Sequence, residues 1–314
     1  MISRTPSSWQ TELACAYRSP EALLRRLGLD PAQVELPADA AGFPLLVPES
    51  YAARMRPGDP DDPLLRQVLP AAAELAAAPG DLRDPVGDLG AAVIPGLLRK
   101  YRGRALVVAT GACAVHCRYC FRRHYPYGDH QAGNGQWQAI VDHLAADPEV
   151  HEVILSGGDP LTLADARLAR LTGQLAAIPH LRRLRLHTRV PVVLPSRVDA
   201  NHAAELDAAV AAAVARLRPT GALLLNQAVL LRGINDDPAQ QEALCERLGE
   251  LGVLPYYLHL LDPVAGAAHF AVADTDALAL QRHLRTRLPG YLVPRLVREV
   301  PGAPYKVPLE AGPC

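Results

Sequence analysis

Cys113, Cys117 and Cys120 fall in one short run, Cys-Ala-Val-His-Cys-Arg-Tyr-Cys, at a C-x3-C-x2-C spacing. Thiolates are the usual ligands of iron–sulfur clusters, and a four-iron cluster normally takes four of them. Three thiolates from one tight loop hold three irons of a cubane and leave the fourth iron open to another ligand. A zinc site is the alternative. Zinc takes four ligands, and His116 or His124 would complete the set. The other cysteines, Cys15, Cys245 and Cys314, are scattered through the 314 residues. Half of the six cysteines in one loop argues for a metal site over unconnected thiols.

Lysine is scarce. Of 32 basic residues only Lys100 and Lys306 are lysine, and the rest are arginine. A lysine that survives such a bias is a candidate for chemistry that needs an amine. The net charge is −1, which gives no reason to expect a nucleic-acid or membrane-surface partner. No apolar run reaches the roughly 18 residues of a membrane span. The N-terminus lacks the compact apolar core of a secretory signal. A soluble cytoplasmic protein is expected, and in that compartment clustered cysteines serve metal or redox chemistry rather than disulfides.

The elements that must position these groups change character along the chain. Residues 1–95 read as an N-terminal helical region broken by PGDPDDP at 57–63 and APGDLRDPVGDLG at 78–90. Pro70 to Ala78 is a short helix candidate. From about residue 104, apolar β-rich runs alternate with amphipathic Ala/Leu runs. Strands are expected at 105–110, 152–156, 182–187, 222–226, 254–260 and 295–299. Helices are expected between them at 136–146, 163–177, 203–216, 238–251 and 275–288. This alternation implies an α/β fold with a parallel sheet. Six strands are fewer than a full barrel has, so a partial barrel and an open doubly wound sheet both fit. Functional loops belong at the C-terminal ends of the strands. The cysteine loop follows the first strand. The turn Ser156-Gly157-Gly158-Asp159-Pro160 follows the second, and Asn226-Gln227 ends the fourth.

C-x3-C-x2-C with Tyr119 before the last cysteine resembles the signature of the radical S-adenosylmethionine (radical SAM) superfamily. The resemblance implies a partial (β/α)6 barrel. It implies a [4Fe-4S] cluster on Cys113, Cys117 and Cys120, with S-adenosyl-L-methionine on the open iron. Tyr119, Gly157, Gly158 and Asp159 would lie beside that cofactor. Longer runs narrow the match: 117–123 (CRYCFRR), 188–198 (TRVPVVLPSRV), 226–236 (NQAVLLRGIND) and 256–262 (YYLHLLD). From about residue 95 to the end the chain resembles the lysine 2,3-aminomutase family. That implies pyridoxal 5′-phosphate (PLP) bound through Lys306, with Arg104 near its phosphate and residues 96–314 forming the barrel and C-terminal PLP-lysine segment. It implies Arg122 on the substrate carboxylate, Asp262 and Glu299 on a distal ammonium, and His202 and Gln227 near the adenosyl group. Glu299 departs from the aspartate of the free-lysine enzymes.

The implied reaction is conversion of L-α-lysine to β-lysine, with an external electron donor. The run 256–270 looks like the branch that serves β-lysylation of elongation factor P. That branch implies a functional link to elongation factor P and its lysyl ligase. A free-lysine enzyme, or a related amino-acid 2,3-aminomutase, is the alternative, and a homo-oligomer is left open.

Overall fold

A computed structural model describes residues 9–37, 42–130, 136–198 and 206–310. Strands Ala92–Ile94 (β1), Leu97–Leu98 (β2), Arg104–Thr110 (β3), Glu152–Gly157 (β4) and Arg183–Leu186 (β5) form one sheet in that order. Strands Leu225–Val229 (β6), Leu254–His259 (β7), Arg295–Arg298 (β8) and Val307–Pro308 (β9) form a second. Within them β3-β4-β5 and β6-β7-β8 are parallel, while β1, β2 and β9 pair antiparallel at the edges. The α/β class holds. The six expected strands are divided between two sheets, and no pairing joins β5 to β6 among the described residues.

Helices Gln136–Ala145, Asp165–Ala176, Leu206–Leu217, Pro238–Glu250 and Asp274–Arg287 connect the parallel strands. β4 reads Glu-Val-Ile-Leu-Ser-Gly and is buried over its first five residues, as a parallel strand covered on both faces should be. Trp137, Ile140, Leu144, Leu171 and Leu175 of the first two helices pack on Val107, Val153 and Leu155. Leu280 and Leu284 pack likewise on Leu258 and Leu296 of the second sheet. Asp237 starts the helix at Pro238 by accepting a hydrogen bond from the Gln240 amide, with proline at the first helical position.

Two expectations change. The fourth strand runs 225–229 rather than 222–226, because the 3-10 turn Arg218–Thr220 and Gly221, at a φ of 74°, delay its start. Asn226 and Gln227 therefore lie inside the strand, not at its end. Pro70–Ala78 contains a 3-10 turn, Ala72–Leu75, in place of an α-helix. The Glu74 side chain there accepts from the Ala71 amide.

The segment before residue 95 is stitched to the rest. Leu23, Leu24, Leu45, Val47, Tyr51 and Leu65 share one apolar cluster with Ala114 and Val115 of the cysteine loop and with Val190, Val193 and Leu194. The Leu82 amide donates to Pro263 O at 2.8 Å, and Ala265 N donates back to Leu82 O at 2.9 Å. Among the described residues no helix is long and apolar enough to cross a membrane.

Candidate active site

The cysteine loop leaves the C-terminal end of β3 and is clamped from the N-terminal segment. His116 N donates to Leu46 O at 3.0 Å, and Arg118 N donates to Gln67 O at 2.8 Å. Beneath the loop, Glu74 is fully buried and accepts from Arg118 at 2.8 and 2.6 Å and from Arg123 at 2.6 Å. Phe43 stacks against both guanidiniums. Two arginines on one buried carboxylate fix the backbone on either side of Cys120.

The thiols lie close enough to sense one another. Burial, then Cys120 and Cys117, push the Cys113 thiol far up. Burial and Cys117 push Cys120 up to about 11. Cys113 and Cys120 therefore resist losing their protons, and bound cations would reverse that balance. Arg189, just after β5, donates to Cys117 Sγ. It also donates to Gln67 Oε1 at 2.8 Å and lies over the Tyr119 ring. This donor set, three clustered thiols beside a guanidinium, fits an anionic iron–sulfur cluster. Among the described residues no three His, Cys, Asp or Glu side chains converge as they would around a single metal ion. A cubane does not ask them to, since each thiolate binds a different iron. His116 Nδ1 and His124 Nε2, the other zinc candidates, lie 2.9 Å from Pro44 O and 3.1 Å from Ala265 O. The Tyr119 hydroxyl donates to Gln67 Oε1 at 3.1 Å.

The glycine turn after β4 lies against this loop. Gly158 N donates to Thr110 O and Asp159 N to Ala112 O, both at 2.7 Å. A Cβ on Gly158 would sit 2.1 Å from Ala112 O, and one on Gly157, whose φ is +114°, would sit 2.5 Å from Thr110 O. The glycines let two backbone segments touch. Asp159 accepts from the Leu161, Arg189 and Val190 amides and from the Thr188 hydroxyl. Its buried carboxylate ties the β4 loop to the β5 loop.

Arg122 is buried and already partnered. Its Nε lies 2.6 Å from Asp88 Oδ2, and its Nη1 donates to Ser156 Oγ at 3.1 Å. Asp88 Oδ1 lies 2.6 Å from Lys100 Nζ. Burial alone would raise the Asp88 carboxyl. Arg122 and Lys100 together hold it below its ordinary value. Of the Arg122 nitrogens, Nη2 alone has no protein partner among the described residues.

At the far end Lys306 Nζ lies 2.7 Å from Glu299 Oε2. Tyr101 donates to Glu299 Oε1 at 2.5 Å. Burial raises the Glu299 carboxyl, but Lys306 and Tyr101 outweigh it and the net shift is down. Arg104, at the start of β3, lies 5.7 Å over the Tyr101 ring, and Lys306 lies 6.0 Å over the Tyr257 ring. Asp262 is pushed up to about 6 by burial and the Glu299 charge, against the pull of Lys306 and Lys100. Gln227 Oε1 is 3.3 Å from His259 Nε2.

Residues between the ends went unread in the sequence. His187 and His259 are held down to about 3, chiefly by burial, with Lys306 nearby in both cases and Arg122 also near His187. The imidazole of His187 thus links the surroundings of Arg122 and Lys306. His202 lies outside the described residues. Asp88 and Tyr101 carry no local motif, and Arg189 stood in the run 188–198 without a role assigned to it. The scarcity of lysine was the one available signal for Lys100.

No protein-family model matches the chain. It is 46% identical to L-lysine 2,3-aminomutase of Escherichia coli (strain K12), over 98% of this chain and 96% of that protein. It is 42% identical to L-lysine 2,3-aminomutase of Haemophilus influenzae, over 97% of this chain and 96% of that one. The protein of the same name from Clostridium subterminale is 33% identical, over 82% of this chain and 67% of its own length. Relatives this similar over nearly their full length fix the kinship: the chain belongs to the L-lysine 2,3-aminomutase family.

Proposed function

We propose that the protein converts L-α-lysine to β-lysine as a cytoplasmic isomerase, using a [4Fe-4S] cluster, S-adenosyl-L-methionine and PLP. Cys113, Cys117 and Cys120 would hold the cluster and Lys306 the PLP, at the mouth of a partial barrel built from β3 to β8. When bound, the cluster with S-adenosylmethionine would supply radical chemistry, and PLP would supply the electron sink for moving the amino group of lysine between C2 and C3.

The chain's own residues bind and orient. Arg122 Nη2 and the shared Nη1 edge take the α-carboxylate. Because Asp88 already holds Nε, the guanidinium meets its ligand in one fixed plane. Asp262 and Glu299 take the distal ammonium. Glu299 also accepts a hydrogen bond from the Lys306 ammonium, so its carboxylate is freed for the substrate's ammonium when Lys306 changes partners. His187 and His259, both neutral, line the space between without adding charge.

What supports this reading above all is the pairing of opposite charges. The Lys100–Asp88–Arg122 triad sums to one positive charge, and two carboxylates stand beside Lys306. Only an amino acid with a distal cation matches both ends. An acidic amino acid would bring like charges together at Asp262 and Glu299. By the likeness of residues 256–270 we assign the β-lysine to modification of elongation factor P.

Anaerobic turnover with reductant, S-adenosylmethionine and L-lysine tests the proposal. β-Lysine should form, and should vanish in Cys117→Ala and in Lys306→Ala. A fully loaded cluster that yields neither β-lysine nor deoxyadenosine overturns the reading.

A further inference from the structure

We infer that Lys100 is a positioning and specificity-determining residue, acting through Asp88 to give the Arg122 subsite the net positive charge that selects a carboxylate. The inference rests on the reading of Arg122 as the carboxylate contact, and it assigns a role to the second of the two lysines.

Arg122 alone does not make an attractive subsite. Its Nε is 2.6 Å from Asp88, and both side chains are nearly inaccessible, 6% and 1% exposed. A buried Arg–Asp pair is neutral. An incoming carboxylate would meet the Asp88 charge as well as the guanidinium, and repulsion would offset most of the gain. Lys100 changes the sum. Its ammonium lies 2.6 Å from the other Asp88 oxygen and donates to Val86 O at 2.7 Å. Two cations on one buried carboxylate leave a surplus of one positive charge, and a carboxylate ligand would neutralise it.

The same contacts hold Asp88 ionised against its burial, so its grip on Arg122 Nε does not loosen near neutral pH. Lys100 also lies within electrostatic reach of Asp262 and Glu299. There it opposes a bound ammonium. Its net effect is therefore to favour ligands that carry a carboxylate over those that carry only amines. A compact ammonium suits the gap between one carboxylate oxygen and one carbonyl better than a planar guanidinium does. That accounts for a lysine here in a chain that otherwise uses arginine.

The test compares two ligands by calorimetry on holoenzyme reconstituted with iron, sulfide and PLP. One is L-lysine. The other is 1,5-diaminopentane, which is lysine without its carboxylate. A unit charge about 8 Å from the ligand, through an effective dielectric of about 20, changes a binding constant about thirtyfold. Lys100→Met should therefore weaken L-lysine about thirtyfold and leave 1,5-diaminopentane unchanged or tighter. Lys100→Arg, which keeps the charge, should hold the preference for L-lysine within about threefold of wild type. The ratio of the two constants is read within one protein, so a partly misfolded sample does not shift it.

Equal weakening of both ligands in Lys100→Met overturns the inference and leaves Lys100 a structural residue. A preference that Lys100→Met does not move, or that Lys100→Arg loses as fully, overturns it too. Wild-type holoenzyme that shows no preference for L-lysine overturns the reading of Arg122, and the inference falls with it.

Discussion

Substituting Asn for Asp262 removes a carboxyl that the folded protein pushes from its ordinary 3.8 up to about 6, by burial first and the Glu299 charge second. In the unfolded chain the group ionises at about 4. Folded, it keeps its proton until about pH 6. Asp262 therefore helps folding fully only below its unfolded value, and that help is lost as pH rises through 6. A shift of about two units corresponds to about 3 kcal/mol at pH 8, an upper bound for a group with some access to water, and to about half of that at pH 5. Asp262→Asn should thus stabilise the cofactor-free protein by up to about 3 kcal/mol at pH 8 and progressively less toward pH 4. Urea denaturation at pH 5 and pH 8 reads this as a gain in midpoint that grows with pH. The same variant should bind L-lysine about ten- to a hundredfold more weakly, since a carboxylate that pairs with an ammonium is gone. In wild type, lysine affinity should fall about tenfold per pH unit below 6, and Asp262→Asn should abolish that dependence. No stabilisation at pH 8, or an equal gain at both pH values, would refute the account of Asp262 as a destabilising carboxylate held for binding.

Gly158→Ala should cost about 1–3 kcal/mol or more and lower iron content, because its Cβ would meet backbone of the cysteine loop at 2.1 Å. Gly173→Ala, in a helix with nothing within 4 Å of the added Cβ, is the control and should stabilise by about 0.5–1 kcal/mol. Glu74→Gln leaves Arg118 and Arg123 without their buried carboxylate and should cost about 3–5 kcal/mol, read by denaturant midpoint and by iron retained after reconstitution. Tyr101→Phe removes the hydroxyl from Glu299 Oε1. The lost hydrogen bond to a charged group, about 1.5–3 kcal/mol, should raise KM for L-lysine at least tenfold, measured by steady-state turnover with cluster loading unchanged.

The sequence carried what is local. Five of the expected helices and five of the six strands appear near their expected bounds because apolar periodicity and flanking Gly, Pro and Asp act within a few residues. The cysteine loop was legible for the same reason. The purpose of Gly157 and Gly158 was not, because close approach to a ligand and close approach to another backbone look alike in sequence. Contacts that join distant segments left no trace. Asp88 meets Arg122 across 34 residues, and Tyr101 meets Glu299 across 198. Each partner is an ordinary polar residue in its own neighbourhood. Asp159 shows the limit from the other side: its place in the glycine turn suggested a cofactor contact, while its carboxylate accepts hydrogen bonds from four donors of the protein.

Burial first, and the neighbouring cations second, keep His187 and His259 neutral. Lys100, Asp88 and Arg122 sum to one positive charge, and Asp262, Glu299 and Lys306 sum to one negative charge when all are ionised. The charges of the two ends therefore cancel, with a field running between them. A protonated imidazole at His187 or His259 would blunt the acidic end and repel the distal ammonium. Burial beside Lys306 holds both rings uncharged at neutral pH. Once Lys306 leaves Glu299 for another partner, the acidic end has a carboxylate to satisfy, and the ammonium of lysine can replace the one withdrawn. Engaging Lys306 elsewhere and admitting the substrate's ammonium thus become one exchange at Glu299. The tyrosine hydroxyl of Tyr101 keeps that carboxylate in place while its partner changes.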